Sequence, residues 1–181
     1  AEKGNVYSFE IADKALLQTL LNASFIVWNY TISPTEEVEF LKIGVFDDGE
    51  TGIAAITYHM KIFVLSSSGE LIWNKTVVSG SWMVYDVVTA DLDGDGIDDI
   101  VLGGDDTNVY AISGKDGHLL WAFKNPTSTI RCLAEADLNK DHVSDIIAGV
   151  NDRTIYAIDG KTGVELWKIT LSDDHAFKLA V

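Results

Sequence analysis

The sequence is poor in four features that would each point to a different kind of protein. Its 181 residues include one cysteine, Cys132, which excludes an intrachain disulfide framework and a zinc site built from cysteine pairs. Lysine and arginine number 13 against 28 aspartate and glutamate residues, and this net charge of −15 argues against nucleic acid or an anionic membrane as a partner. No apolar run approaches the roughly 20 residues that a membrane-spanning helix needs. Two prolines stand beside 15 glycines, which is typical of many tight turns.

What is present indicates a globular chain that binds cations. Hydrophobic residues make up 47% of the sequence and charged residues 23%, enough apolar material for a packed core. The acidic surplus fits a protein that holds cations. The first residues, 1–4, lack the pattern of a secretory signal peptide, so we expect any signal or membrane anchor to lie outside this sequence.

Three segments repeat one pattern, and each ends in tryptophan. They read KIFVLSSSGELIW at 61–73, NVYAISGKDGHLLW at 108–121 and TIYAIDGKTGVELW at 154–167. A looser copy begins the chain, with NVYSF at 5–9 and FIVW at 25–28. Successive tryptophans are 45, 48 and 46 residues apart, at Trp28, Trp73, Trp121 and Trp167. A period near this length, with short strands that alternate apolar and polar residues, is typical of β-propeller blades.

We therefore predict an all-β fold, a β-propeller of four-stranded blades with about four repeats of about 46 residues. The predicted parts are the outer strands of one blade at 1–32, repeats at 36–78, 82–124 and 129–170, and the start of a further blade at 175–181. Because the repeats begin and end out of phase with the chain, the sequence favours a fragment of a larger propeller of about six to eight blades. A closed four-bladed ring, in which the last inner strand joins the first outer strands, is the alternative.

The segment 91–99 carries carboxylates at the spacing of a calcium loop. It reads DLDGDGIDD, so Asp91, Asp93 and Asp95 alternate before a glycine, and Asp99 closes the segment. When such a loop curls, these side chains and the carbonyl oxygen of Ile97 form the all-oxygen shell that Ca²⁺ prefers. Mg²⁺ demands a tighter octahedral geometry and is the second choice. An EF-hand is excluded because its twelfth position needs glutamate and flanking helices, whereas this chain has a leucine inside a strand-like run.

The segment 137–145 repeats the pattern in a weaker form. It reads DLNKDHVSD, and its ligands would be Asp137, Asn139, Asp141, the carbonyl oxygen of Val143, and Asp145. The neutral amide removes one negative charge and His142 replaces the turn glycine, so we expect a weaker Ca²⁺ site. The corresponding stretch at 44–52 lacks the ligand residues and predicts no site. A solvated acidic turn without metal is the alternative for both loops.

Two known kinds of repeat are similar to these segments. The segment 91–103, DLDGDGIDDIVLG, resembles the calcium loop and following strand of FG-GAP and VCBS repeats, known from integrin α-subunit propellers and many secreted microbial proteins. The segment 157–167, AIDGKTGVELW, resembles the tryptophan-ended repeat of quinoprotein-like (PQQ-like) propellers. In those families the loop joins the first two strands of a blade and its calcium braces the blade. The resemblance implies this role for the ligand residues of both loops.

Three sequons predict a glycosylated surface protein. They begin at Asn22, Asn29 and Asn74, next to the fourth strands of the predicted blades. Calcium loops of modest affinity fill outside cells, which also favours an extracellular or cell-surface location.

The predicted function is that of a non-catalytic, calcium-stabilised extracellular propeller for adhesion, ligand binding or assembly. Its partner would be a protein, a carbohydrate or a neighbouring subunit, with no nucleic acid and no membrane insertion. The sequence shows no nucleophile elbow, phosphate loop or metalloprotease motif. The repeated tryptophans indicate packing between blades, whereas the off-register Trp82 is a candidate sugar platform. Cys132 is predicted to be a buried, inert thiol. The alternative is part of a propeller enzyme, quinoprotein dehydrogenase-like or polysaccharide lyase-like, whose catalytic residues lie elsewhere.

Overall fold

The computed structural model describes residues 30–32, 36–47, 49–124 and 128–172. Within these ranges the chain forms three four-stranded antiparallel sheets and no helix. The first sheet contains β1 (Val38–Asp47), β2 (Glu50–Thr57), β3 (Lys61–Ser66) and β4 (Leu71–Thr76). The second contains β5 (Val84–Ala90), β6 (Asp99–Gly104), β7 (Asn108–Ile112) and β8 (Leu119–Lys124). The third contains β9 (Ile130–Ala136), β10 (Asp145–Val150), β11 (Thr154–Ile158) and β12 (Glu165–Thr170).

Each sheet is a meander whose strands lie side by side in chain order. The predicted all-β fold class is confirmed. The predicted elements at 1–29 and 175–181, with Asn22 and Asn29, lie outside the described residues. No helix in the described part of the chain is long and apolar enough to cross a membrane.

The second sheet contributes side chains to two separate cores. Ile100 and Leu102 of β6 pack with the first sheet, around Phe46 and Ile62. Val101, between them in sequence, packs with the third sheet in the other cluster. Successive residues of a strand point to opposite faces, and β6 is buried along its whole length because both of its faces are covered.

Tryptophans on the outermost strands tie each sheet to the next. Trp73 of β4 donates its Nε1 hydrogen to the carbonyl oxygen of Gly114 over 2.6 Å. Trp121 of β8 repeats this bond to Gly160, also over 2.6 Å. These two tryptophans therefore pack between neighbouring sheets, as their repeated position predicts.

The prediction that the Cys132 thiol is buried is wrong. Cys132 on β9 is half-buried. β9 is the innermost strand of the third sheet, and among the described residues no further sheet packs beyond it to cover this side chain.

Candidate metal centre

The first acidic loop, residues 91–99, connects the innermost strand of the second sheet to the strand beside it. Ala90, the last residue of β5, pairs directly with Asp99, the first residue of β6. The two ends of the loop are therefore fixed by the ladder, and the intervening residues must curl above the end of the sheet. This geometry turns the aspartates toward one another.

Asp99 is the buried carboxylate of the loop, with 1% of its surface exposed. Its two oxygens accept hydrogen bonds from the backbone nitrogens of Leu92 (2.9 Å) and Gly114 (3.1 Å). Burial raises the pKa of the Asp99 carboxyl to about 6, and the charges of Asp93 and Asp91 act in the same direction against those two hydrogen bonds. Burial and the neighbouring negative charges therefore destabilise the ionised form of Asp99, and a bound cation would stabilise it.

Three carboxylates meet at this point. Asp91, Asp93 and Asp99 each offer an oxygen that lies within 4.8 Å of the other two, the one such group of acidic, histidine or cysteine side chains found among the described residues. Two oxygens bound to one Ca²⁺ at about 2.4 Å lie at most about 4.8 Å apart. The donor set is all oxygen and strongly negative, so it fits a hard divalent cation.

Asp95, the remaining predicted carboxylate ligand of this loop, is placed differently. Its Oδ2 pairs with the Nζ of Lys115 at 3.2 Å, and its Oδ1 accepts the backbone N–H of Ile97 over 2.9 Å. The Ile97 side chain is buried in the core between the first two sheets. Asp95 thus shapes the loop and neutralises one lysine instead of joining the three-carboxylate cluster.

Asp98, which the sequence analysis did not select, fastens the loop to the first sheet. Its Oδ2 accepts the backbone N–H of Val45 over 2.8 Å, and its own N–H donates to the Val45 carbonyl oxygen over 2.8 Å. A Cβ at Gly44 would stand 2.5 Å from that carboxylate, so a larger residue at this position would displace the Asp98 side chain. Asp98 is not one of the regularly spaced ligand positions of the loop. The only hint in the sequence is that a second acidic residue stands next to Asp99.

The stretch 44–52 is a direct hairpin in which Asp47 of β1 pairs with Glu50 of β2. It has no counterpart of the curled loop, because the two strands extend almost to the turn. The absence of a metal site here stays a prediction.

The second acidic loop, residues 137–145, has the same backbone design. Asp145 accepts hydrogen bonds from the backbone nitrogens of Leu138 (2.9 Å) and Gly160 (3.1 Å), as Asp99 does in the second sheet. Asp137 accepts the N–H groups of Lys140 (2.7 Å) and His142 (3.1 Å). Asp91 holds Gly94 and Gly96 in the corresponding way.

The side chains of the second loop are arranged differently. The amide nitrogen of Asn139 donates to carboxylate oxygens of Asp141 and Asp145, each at 3.3 Å, and of Asp159 at 3.1 Å. The carboxylates surround this amide instead of forming a three-carboxylate cluster like that of the first loop. The backbone N–H of Val143, the residue whose carbonyl oxygen is a predicted ligand, donates to Asp141 over 2.9 Å.

Asp159 is a second residue that sequence reasoning missed. It begins the hairpin between β11 and β12, where the second sheet has Ser113, so an alignment of the two hairpins was the available signal. Hydrogen bonds from Thr162 hold the pKa of Asp159 below its usual range. The second loop has the neutral Asn139 where the first has Asp93, but Asp159 of the neighbouring turn brings a negative charge to the same place.

His142 occupies the strained position that its place in the pattern predicts. Its φ is 71°, against 84° for the equivalent Gly96. The left-handed region costs a residue with a Cβ about 1–2 kcal/mol, and a Cβ at Gly96 would meet no atom within 4 Å. The difference between the two loops at this position is therefore one of backbone strain.

We expect His142→Gly to stabilise the protein by about 0.5–1 kcal/mol in metal-free buffer, because glycine adopts a positive φ without strain but loses more entropy on folding. Urea unfolding monitored by tryptophan fluorescence measures the change. Gly96→His is the matched control and should destabilise by a similar amount. If His142→Gly is less stable than the parent protein, backbone strain is not what distinguishes the loops.

Two other candidate residues lie away from the acidic loops. Asn74 is exposed on β4, an edge strand of the first sheet. Trp82 lies just before β5, at the opposite end of that strand from the first acidic loop, and is 43% exposed. Near it on β5, Tyr85 carries the guanidinium of Arg131 over its ring at 4.6 Å, a contact between the second and third sheets.

Solved structures share the fold at low sequence identity. BBS1N in complex with ARL6DN superposes with a TM-score of 0.60 at 17% identity, over 81% of this chain and 44% of that one. The WD40 β-propeller domain of Doa1 superposes with a TM-score of 0.56 at 17% sequence identity, over 75% of this chain and 41% of that one. BamB from Moraxella catarrhalis superposes with a TM-score of 0.52 at 14% sequence identity, over 76% of this chain and 39% of that one. The chain thus spans less than half the length of these propellers.

Sequence comparisons place the chain more narrowly. A search of curated proteins finds no significant match. The model of the lambda-carrageenase β-propeller domain family matches residues 52–164, from β2 to the turn before β12. This match covers more than half of the sequence and includes both acidic loops. The three meander sheets, their superposition on larger propellers and this match together show that the chain belongs to the lambda-carrageenase β-propeller domain family.

Proposed function

We propose that this chain is part of a calcium-stabilised extracellular β-propeller that acts as a non-catalytic module for binding or assembly. The observation that carries the proposal is the convergence of Asp91, Asp93 and Asp99 at the mouth of the first acidic loop. A buried carboxylate with a raised pKa and two neighbouring carboxylates is an arrangement that a divalent cation stabilises.

Calcium in this loop would brace more than one sheet. Asp99 accepts a hydrogen bond from the backbone N–H of Gly114 in the following hairpin. The carbonyl oxygen of Gly114 in turn accepts the indole N–H of Trp73 from the first sheet. Asp98 bonds the edge of the β1–β2 hairpin. A cation that fixes the loop would therefore stabilise the contact between the first and second sheets as well as the loop itself.

Calcium should raise the stability of the folded chain by about 2–3 kcal/mol when its concentration is about 100 times the dissociation constant. Thermal unfolding in calcium and in EGTA tests this, with magnesium as the control for a general ionic effect. If the melting curves in calcium and in EGTA coincide, calcium does not stabilise the folded chain.

Exchanging one residue between the loops separates their contributions. Asp93→Asn takes a carboxylate from the first loop and should weaken calcium binding measured by titration calorimetry. Asn139→Asp adds a carboxylate to the second loop and should strengthen a second, weaker binding event. An unchanged isotherm for Asp93→Asn would show that the first loop is not the site.

The extracellular location rests on the calcium loops and the sequons. Asn74 is exposed on an edge strand, where a glycan would meet solvent. The acidic surface and the likeness to BBS1N, whose structure holds it in complex with ARL6DN, support a protein partner or a neighbouring subunit. A carbohydrate ligand is supported by the match to the propeller domain of a carrageenase, an enzyme that acts on a polysaccharide.

A second candidate function is a propeller that serves a polysaccharide-degrading enzyme. The family match to a carrageenase propeller domain favours it. Trp82 supplies a surface for such a substrate, because an exposed indole stacks on the apolar face of a sugar ring. The Trp82 ring lies close to Gly80, where a Cβ would be 2.9 Å from its Nε1, so a larger residue at position 80 would displace the indole.

If the chain binds polysaccharide through this surface, Trp82→Ala should weaken retardation in native gels containing lambda-carrageenan by about two- to tenfold in affinity, since a stacked aromatic contributes about 0.5–1.5 kcal/mol beyond its buried area. The melting temperature should stay unchanged. Trp167→Ala removes an equally exposed indole elsewhere and is the control. Equal retardation of both variants and the parent chain would count against a sugar platform at Trp82.

A further inference from the structure

Asp95 holds a predicted ligand position of the first acidic loop, but its carboxylate is bound to a positive charge of the chain itself. Its Oδ2 pairs with the Nζ of Lys115 at 3.2 Å. The three-carboxylate cluster consists of Asp91, Asp93 and Asp99 and does not include Asp95. An ammonium group and a calcium ion are attracted to the same carboxylate oxygens. Lys115 is therefore a competitor for one of the predicted calcium ligands.

The hairpin after β7 places this lysine beside the acidic loop. Gly114, the residue before it, donates its backbone N–H to Asp99 over 3.1 Å, and its carbonyl oxygen accepts the indole N–H of Trp73 over 2.6 Å. The backbone N–H of Lys115 donates to the Oγ of Ser113 over 3.3 Å. The hairpin is thus fastened both to the base of the acidic loop and to the first sheet, which keeps the lysine close to the loop.

The ion pair between Lys115 and Asp95 can open without disturbing the core. The Lys115 side chain is 58% exposed and that of Asp95 is 25% exposed. Water rehydrates both charges when such a pair separates, so the pair is weak. The Oδ1 of Asp95 accepts the backbone N–H of Ile97 over 2.9 Å, and this bond does not depend on the lysine. Asp95 thus stays in the loop while its Oδ2 changes partner.

The second acidic loop has no competing lysine of this kind. The counterpart of Asp95 there is Asp141, which lies 3.3 Å from the amide nitrogen of Asn139. Lys161 stands at the hairpin position of Lys115 and is exposed. Among the residues that the structure describes, no ion pair joins it to the second loop. The competition is therefore particular to the first loop.

We propose that Lys115 regulates the calcium site proposed for the first acidic loop by competing with the ion for Asp95. When calcium binds, the Oδ2 of Asp95 turns to the ion and the ammonium moves into solvent. The ion pair and the repulsion between the two cations both lower the calcium affinity. Removing the ammonium should tighten calcium binding about two- to fivefold, the factor that corresponds to an exposed ion pair.

The test measures calcium binding to the full chain by titration calorimetry at low ionic strength. Lys115→Met removes the charge and keeps a long apolar side chain, whereas Lys115→Arg keeps the charge. Lys161→Met is the matched control, because it removes the same charge from the corresponding hairpin of the third sheet. Asp93→Asn identifies the binding event that belongs to the first loop. Reductive methylation followed by mass spectrometry measures how fast each lysine reacts in calcium and in EGTA.

Lys115→Met should bind calcium about two- to fivefold more tightly than the parent chain, and the gain should shrink in about 0.5 M salt. Lys115→Arg should not gain affinity, and Lys161→Met should leave the first binding event unchanged. Calcium should speed the methylation of Lys115 and not that of Lys161.

The outcomes separate this inference from the calcium site on which it rests. Equal affinity of Lys115→Met and the parent chain overturns the competition and leaves the calcium site in place. An equal gain in Lys161→Met also overturns it, in favour of a general effect of net charge. If neither the parent chain nor Lys115→Met binds calcium, the calcium site and the competition are both overturned.

Discussion

Asp99→Ala is expected to lower the free energy of unfolding by about 2–4 kcal/mol even without calcium. The substitution leaves the backbone N–H groups of Leu92 and Gly114 buried without their acceptor, and each such group costs about 1–3 kcal/mol. Removing a buried carboxylate whose pKa is raised to about 6 returns part of this cost. Urea unfolding in EGTA measures the sum.

Two controls identify the cause. Asp99→Asn keeps one carbonyl acceptor and should lose less stability than alanine. Asp95→Ala, which removes a more exposed carboxylate paired with Lys115, should cost less than about 1 kcal/mol. If Asp99→Ala and Asp95→Ala are equally mild, the buried hydrogen bonds do not hold the loop. In calcium, Asp99→Ala should also lose the stabilisation that the ion gives to the parent chain.

Trp121→Ala should have the largest effect, a loss of about 3–5 kcal/mol. The indole is buried against the third sheet, packs on Gly163 and bonds the Gly160 carbonyl. Removing it opens a cavity between two sheets and leaves that carbonyl without its donor. Thermal and urea unfolding report the change.

Trp167→Ala is the matched control, because it makes the same chemical change on β12, where the indole is 45% exposed. Its cost should be about 1 kcal/mol or less in the 181-residue chain. Equal losses at the two positions would show that Trp121 stabilises its own sheet and not the contact with the next one.

The strands could be predicted well because their signals are local. Alternating apolar residues and turn glycines predict strands at 108–112 and 154–158, which are the bounds of β7 and β11 in the structure. The same signals predict fourth strands that begin at 118 and 164, one residue before β8 and β12 begin in the structure. The reason is the hairpin closure: Ser113 and Asp159 donate to the carbonyls of His118 and Val164, which puts these two residues at the turn and outside the regular ladder.

The acidic loops could be predicted only in part. Regular spacing and a fixed loop base are sufficient to bring Asp91, Asp93 and Asp99 together. The pairing of Asp95 with Lys115 depends on where a hairpin 20 residues away comes to lie. The bond between Asp98 and Val45 joins positions 53 residues apart in different sheets. Such contacts are set by how the sheets pack, which a single sequence does not display.

The two faces of β6 also determine how the chain unfolds. Ile100 and Leu102 belong to one core and Val101 to the other, with all three side chains fully buried. The second sheet cannot open without exposing both cores, so the three sheets form one cooperative unit in which neighbours are coupled through the middle one. A cation bound at Asp99, the residue before Ile100, would therefore act at the end of the strand that both cores share.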